Sequence, residues 1–355
     1  MPEPSQSIPA TDSVLASLLD GLRKHTKRIV FSDGEDERVV RAASELAATE
    51  AIVPILLGNR AAIHGLAEKL RLNMEFVGVV EPARSDDFDL FCERYRKIAR
   101  YRRVKVDSPG EILRIPVYFG AMMLQYGYAD GLVGGNLSLP SAFFRGLFHM
   151  IRRLPGLDAV GSCLPMTLPS RPDLGSGGTL FLADCAVIPS PTVSQLAMLT
   201  IETAKVAAAL LGEKPRVAII SHTTRGTSQS ALSQRIAAAV SLARDQARRE
   251  HLPVEIDGEM EMDAAIHPAS AQQKAPNSAL RGRANVLIFP DQTAAHACCK
   301  LLEHVVGGQP SGHHLLGLAR PAAGVSRVAT TRTIAQAAIV TAVRAAAYRQ
   351  FILSE

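Results

Sequence analysis

With 355 residues, 47% of them hydrophobic and 21% charged, the chain is long enough for two domains and is composed as a globular rather than a disordered protein. A formal charge of +5 suggests anionic partners without naming one, and no stretch approaches 18 consecutive apolar residues, which argues against a membrane span. With no Trp and 5% aromatics, the core has to be aliphatic and rich in alanine.

The opening "MPEPSQSIPATD" (1–12) lacks an apolar segment and reads as a disordered leader without a secretory signal, so the cytoplasm is the expected location. Residues 28–34, "RIVFSDG", form an apolar run closed by a turn, as a buried strand does. The following "DERVVRAASELAATE" places Val39, Ala42, Ala43 and Leu46 on one helical face. "AIVPILLGN" (51–59) predicts the next strand. In "RYRKIARYRR" (94–103) six basic residues interleave with Tyr95 and Tyr101. The acidic "EPARSDDFDLF" precedes it, so a solvated or ion-paired helix face comes first, then a small anionic ligand, then nucleic acid, whose binders use such mixtures.

"PVYFGAMMLQYG" (116–127) is a helix opened by Pro116 and closed by Gly127, and "ADGLVGG" (129–135) a strand entering a glycine turn. Between about 155 and 192 the rhythm breaks into short apolar pieces split by Pro and Gly, which predicts antiparallel hairpins or an arm and a boundary near Pro155. Strands return at 215–226, 254–260 and 284–291. A helix after Thr333 has no strand behind it and is expected to pack on an earlier domain. Such alternation predicts a mostly parallel sheet covered on both faces.

Four loops at strand ends have the composition that handles phosphate: "SDGEDER", "GGNLS", "SHTTRGTS" and "GVSRVATT". Ligands of open α/β sheets gather at the carboxyl ends of strands, so these loops could share a cleft. In "SHTTRGTS", Arg225 and Gly226 sit among hydroxyls; ligand contact and ordinary helix capping fit equally. "GSGGTL" (175–180) reads as a turn, and no Walker pattern, dinucleotide fingerprint or nucleophile elbow is present. The ten histidines lack metal-ligand spacing, His313-His314 reads as a loop pair, and no metal site is expected. The five cysteines match no ligand pattern either; reduced thiols are expected, with Cys185 a core thiol and Cys298-Cys299 unable to bridge readily to each other. The residues alone reach a two-domain α/β protein that handles an anionic ligand.

Several segments together resemble the phosphate acetyltransferase (phosphotransacetylase) family of phosphate acetyl- and butyryltransferases. They include "SDGEDERVVRAASELA", "PILLGN", "PVYFGAMM", "ADGLVGG", "LADCAVIPSPT", "IDGEMEMDAAI", "QKAPNSALRGRANVLIFPD" and "GLARPAAGVSR", in the family's order over roughly residues 28–345. The resemblance implies an isocitrate/isopropylmalate dehydrogenase-like fold: two α/β domains with a cleft between them, the second inserted in the first. It would divide the chain into 1–153 plus 312–355 and 154–311, with the inserted domain forming a homodimer. The implied reaction moves an acetyl group between acetyl phosphate and CoA by direct thiolate attack. CoA is then a substrate, no resident cofactor is needed, and neither nucleic acid nor membrane is a partner.

The same resemblance places the family's Ser-Arg pair on Ser326 and Arg327, an arginine on Arg145, and another on Arg100, with Arg96 nearly as good. Asp291 is kept in "PDQTAAH", where two asparagines are lost, and Arg225 joins the substrate-binding candidates by its loop. The family's proton-accepting Asp falls on Thr333, whose hydroxyl cannot serve as the base. The family's "SGA.H" is here "GGNLS", so a hydroxyl residue becomes Gly134. Thr333 and Gln336 also have capping-box spacing. A regulatory homologue that binds acetyl-CoA or an acyl phosphate, and a phosphate butyryltransferase, are the alternatives.

Overall fold

Each strand expected from an apolar run followed by a turn forms in the computed structural model, which describes residues 13–352. The leader expected at residues 1–12 lies outside them. Along the chain come α1 (Ser13–Arg23), β1 (Lys27–Phe31), α2 (Glu37–Ala47), β2 (Ile52–Leu57), α3 (Arg60–Leu70), β3 (Gly78–Val80), α4 (Phe88–Tyr101), α5 (Pro109–Leu113), α6 (Pro116–Gln125), β4 (Gly131–Gly134) and α7 (Pro140–Met150). Next are β5 (Gly161–Thr167), β6 (Thr179–Ala183), α8 (Val193–Leu211), β7 (Arg216–Ile220), α9 (Ala231–Arg249), β8 (Glu255–Met260), α10 (Met262–Ile266), α11 (Pro268–Lys274), β9 (Val286–Ile288) and α12 (Gln292–Val305). The chain finishes with β10 (Gln309–Pro310), β11 (His313–Leu316), β12 (Ala322–Gly324) and α13 (Thr331–Ile352).

Two units result. The first takes the residues up to Arg152 and those from Leu318 onward; the second is Arg153–Gly317. In the first unit the strand order is β3-β2-β1-β4-β12, every pair parallel. Parallel strands need both faces covered, and α2 and α13 cover one of them together. Asp36 caps α2 by accepting the Arg38 amide at 2.8 Å, and Glu37 follows in the first turn, where an acid is favoured. Val39, Val40, Ala43 and Leu46 of α2 then share one core with Ile334, Ala335, Ala338 and Ile339 of α13. Small residues let α13 lie close to the sheet: a Cβ on Gly131 would sit 2.5 Å from Thr341 Cγ2.

The second unit has the order β11-β5-β6-β9-β7-β8, with β10 also on β5. Its sheet is mixed, since β5 runs antiparallel to β11 and β6 while β6, β9, β7 and β8 are parallel. The broken stretch 155–192 therefore holds a hairpin, Cys163 opposite Ala183 through Thr167 opposite Thr179, and not a free arm. Leu164, Met166, Leu180 and Leu182 from this hairpin are core residues, which is why it stays in the sheet. The glycines of its connection, Gly175, Gly177 and Gly178, have φ of 59°, 57° and 85°, as a tight turn requires. His313 and His314 are corrected from loop to strand; His314 is buried, with Nε2 donating to the Ser311 carbonyl at 2.9 Å. By length and composition α8 could cross a membrane, but Leu196, Leu199 and Ile201 are wholly buried, as in a core helix.

Candidate active site

In the first unit β1, β4 and β12 lie side by side in register, Phe31 beside Val133 and Gly134 beside Gly324. Two further bonds extend the ladder: Ser32 N–H to the Val133 carbonyl at 3.1 Å and Val325 N–H to the Gly134 carbonyl at 2.8 Å. The loops 32–36, 135–139 and 325–330 thus leave neighbouring carboxyl ends together.

A polar network, buried at Asp36 and Asn136, joins them. The Asp36 carboxylate accepts from Arg38 Nε at 3.0 Å, Arg38 Nη2 at 2.6 Å and Asn136 Nδ2 at 2.9 Å. Arg38 Nη1 then donates to the Arg327 and Ala329 carbonyls at 2.8 and 2.9 Å. Burial pushes the Asp36 carboxyl up, but its bonds to Arg38 outweigh that and hold it below the usual carboxylate range. An ionised Asp36 therefore fixes Arg38, and Arg38 fixes the backbone that carries Ser326 and Arg327. Beside it, the Asp33 Oδ2 accepts from the Gly135 amide at 2.7 Å and the Ser32 hydroxyl at 3.0 Å.

Ser326 and Arg327 are exposed on the last of these loops. The Ser326 hydroxyl oxygen accepts the Val328 amide at 3.3 Å, leaving its proton available to a ligand. Thr333 is close by in the chain but is not the cap of α13. Thr330 takes that place, its Oγ1 accepting the Thr333 amide at 3.2 Å, while Thr333 Oγ1 lies 3.1 Å from Thr330 Oγ1. The capping box expected at Thr333 and Gln336 does not form; the cap lies three residues earlier, and Gln336 is buried. An exposed hydroxyl and guanidinium at strand ends offer the kinds of donor that a phosphate-like anion accepts.

The other candidates lie on other elements. Arg145 is exposed on α7, and its charge, after burial and Arg102, helps lower the pKa of His149. Arg100 is exposed near the end of α4. Its basic neighbours have structural partners: Arg94 lies 4.2 Å over the Tyr126 ring, Lys97 pairs with Glu93 at 2.7 Å, and Arg102 donates to the His149 and Ile151 carbonyls. In the second unit Arg225 is ion-paired to the buried Asp257, which also accepts from Arg244 at 2.9 Å and Ser278 at 2.6 Å. Thr224 of the same loop donates to Glu261 at 3.0 Å, and the cap of α9 is Ser230. Asp291 caps α12 through the Ala294 amide at 2.9 Å. No cluster of three or more metal-ligating side chains occurs among the described residues.

A family model described as "Phosphate acetyl/butaryl transferase" matches residues 13–342. The chain belongs to this family. A phosphate acetyltransferase of Thermoanaerobacterium thermosaccharolyticum is 32% identical over 335 residues, covering 94% of this chain and 99% of the relative. A phosphotransacetylase from Streptococcus pyogenes superposes with a TM-score of 0.83 at 30% identity, over 94% of this chain and 99% of the other. A 4-hydroxythreonine-4-phosphate dehydrogenase from Burkholderia phymatum shares the fold alone, with a TM-score of 0.50 at 12% identity over 90% and 98% of the two chains. The dehydrogenase-like α/β fold expected for this transferase family is the one found.

Asp36, Arg38 and Asn136 were not singled out from the sequence. The composition of "SDGEDER" drew attention to the loop, but nothing in one-dimensional spacing joins it to residues 136 and 327.

Proposed function

We propose that the protein is a phosphate acetyltransferase that moves an acetyl group between acetyl phosphate and CoA. The observation that carries this reading is the exposed Ser326-Arg327 pair, held on its strand-end loop by Arg38, in a chain of this transferase family. Arg327, with Arg145 and Arg100, binds the phosphate and polarises the acetyl carbonyl, and Ser326 donates to the leaving phosphate. The CoA thiolate attacks the carbonyl carbon, the carbon–oxygen bond to phosphate breaks, and acetyl-CoA and inorganic phosphate result. Thr333 occupies the base position without being able to act as one. Arg225 and Asp291 are proposed as substrate contacts on sequence grounds; their structural occupations are the Asp257 ion pair and the α12 cap. CoA is a substrate in this scheme, no cofactor is held, and the protein works in the cytoplasm as a homodimer without nucleic acid or membrane.

A binding-only homologue and a butyryl-specific enzyme are not favoured by the relatives, which are named phosphate acetyltransferases. A thioester assay with acetyl phosphate and CoA tests the reading, with butyryl phosphate run in parallel. Turnover should fall about 100-fold or more in Arg327→Ala, the scale expected for losing one charge-stabilising donor. Wild-type turnover no greater than that of Arg327→Ala would overturn it.

A further inference from the structure

The reaction proposed above needs a group to take the thiol proton, because the thiolate is the nucleophile. No Asp or Glu occurs between Glu303 and Glu355, so neither α13 nor its loop can supply a carboxylate. Of the three strand-end loops only the first carries acids, Asp33, Glu35 and Asp36, and Glu37 opens α2 directly after it. Glu35 is turned toward the loop after β2, its Oε1 accepting the Asn59 amide at 2.7 Å. Asp36 is taken by Arg38 and Asn136, and Glu37 pairs with Arg41 at 2.7 Å. Asp33 is a hydrogen-bond acceptor for Gly135 and Ser32 and belongs to no ion pair among the described residues.

Space for this carboxylate depends on Gly134. A Cβ there would sit 1.9 Å from Ser32 Oγ and 2.9 Å from Asp33 Oδ2. The family pattern has a hydroxyl residue at this position, and its replacement by glycine leaves the volume to Ser32 and Asp33. The adjoining Gly135, whose amide holds Asp33, places its own would-be Cβ 3.4 Å from the Val325 carbonyl, one residue before Ser326. The departure at 134 thus lies against one carboxylate, Asp33.

We propose that Asp33 is the proton acceptor for the CoA thiol, which deepens the transferase reading above and rests on it. As sulfur bonds to the acetyl carbon, the thiol proton passes to the Asp33 carboxylate and phosphate leaves with the electron pair of the broken carbon–oxygen bond. Burial raises the Asp33 carboxyl above its ordinary value by more than the Gly135, Ser32 and Asn136 bonds lower it, so it is a better base than a solvated aspartate. The charged groups facing it are Asp36, which raises it further, and Arg38, which is committed to Asp36.

Asp33→Asn is the test, since its amide oxygen can still accept the Gly135 N–H. With acetyl phosphate and CoA as substrates, kcat should fall about 100-fold or more, with the KM for acetyl phosphate within about threefold. The acidic limb of the pH–rate profile should vanish. A slow variant that keeps this limb would make Asp33 structural and overturn the assignment, as would a kcat within about threefold of wild type. If Asn at 33 prevents folding, the wild-type profile decides. An acidic limb with its midpoint above the ordinary aspartate value of about 3.9 supports Asp33, and a rate with no such limb down to about pH 4 overturns it. Inactive wild-type enzyme overturns both readings; active enzyme indifferent to Asp33→Asn overturns only this one.

Discussion

At Gly134 a Cβ would stand 1.9 Å from the Ser32 hydroxyl oxygen and 2.9 Å from both Asp33 Oδ2 and Phe143 Cε2, so a side chain there forces its neighbours to shift. Gly134→Ala should therefore destabilise the first unit by about 1–3 kcal/mol, the usual cost of overpacking, as read by urea denaturation. Removing the obstructing oxygen by Ser32→Gly in the same chain should recover part of that loss. Thr330 offers a second check at this scale. Its Oγ1 caps α13 through the Thr333 amide, so Thr330→Ala should cost about 1 kcal/mol, while Thr333→Ala should cost much less. Sequence spacing favours Thr333, which has Gln336 at capping-box distance, over Thr330, which has a threonine there. The choice is made by where β12 ends and how Arg38 holds the Ala329 carbonyl.

Asp257, on β8, ties three elements of the second unit together: α9 through Arg244, the loop after β7 through Arg225, and the loop after α11 through Ser278. Burial alone would raise its carboxyl, but the bonds from Ser278 and Arg225 hold it below the unfolded value. A depressed acid contributes its stability above the unfolded pKa of about 3.9 and loses it as pH falls through the folded one. Asp257→Asn should accordingly weaken the protein by roughly 3 kcal/mol at neutral pH, with the deficit closing in acid; equal deficits across pH would contradict the linkage. The elements themselves were legible: β2, β4, β7, β8 and β9 each fall inside a run picked out by apolarity and a following turn, and β1 begins one residue before its run. Their joint site was less so. Asn136 meets Asp36 across 100 residues and Arg38 meets Arg327 across 289, separations that no local pattern encodes.

At the scale of the whole chain, the insertion is closed by short-range bonds on each side. Leu154 N–H donates to the Gly317 carbonyl at 2.9 Å within the second unit, and Ala319 N–H to the Arg152 carbonyl at 2.8 Å within the first. Each unit's cut ends are therefore neighbours, and bridging those of the first unit needs only a short loop with little closure entropy. Replacing residues 153–317 by a brief Gly-Ser segment should leave a first unit with a cooperative thermal transition by circular dichroism. A broad, non-cooperative melt would show that this unit does not stand alone.

The order of synthesis gives the last segment a separate meaning. A ribosome completes the whole of Arg153–Gly317 before it makes β12, Ser326, Arg327 and α13. Until then the first unit lacks the strand beside β4, and its core lacks Ile334, Ala338 and Ile339. Chains cut short before Ile339 therefore carry an unfilled core, and any cut before Ser326 also removes the Ser-Arg pair. Unfinished molecules therefore expose apolar surface, which makes them prone to aggregate, before they hold the Ser-Arg pair.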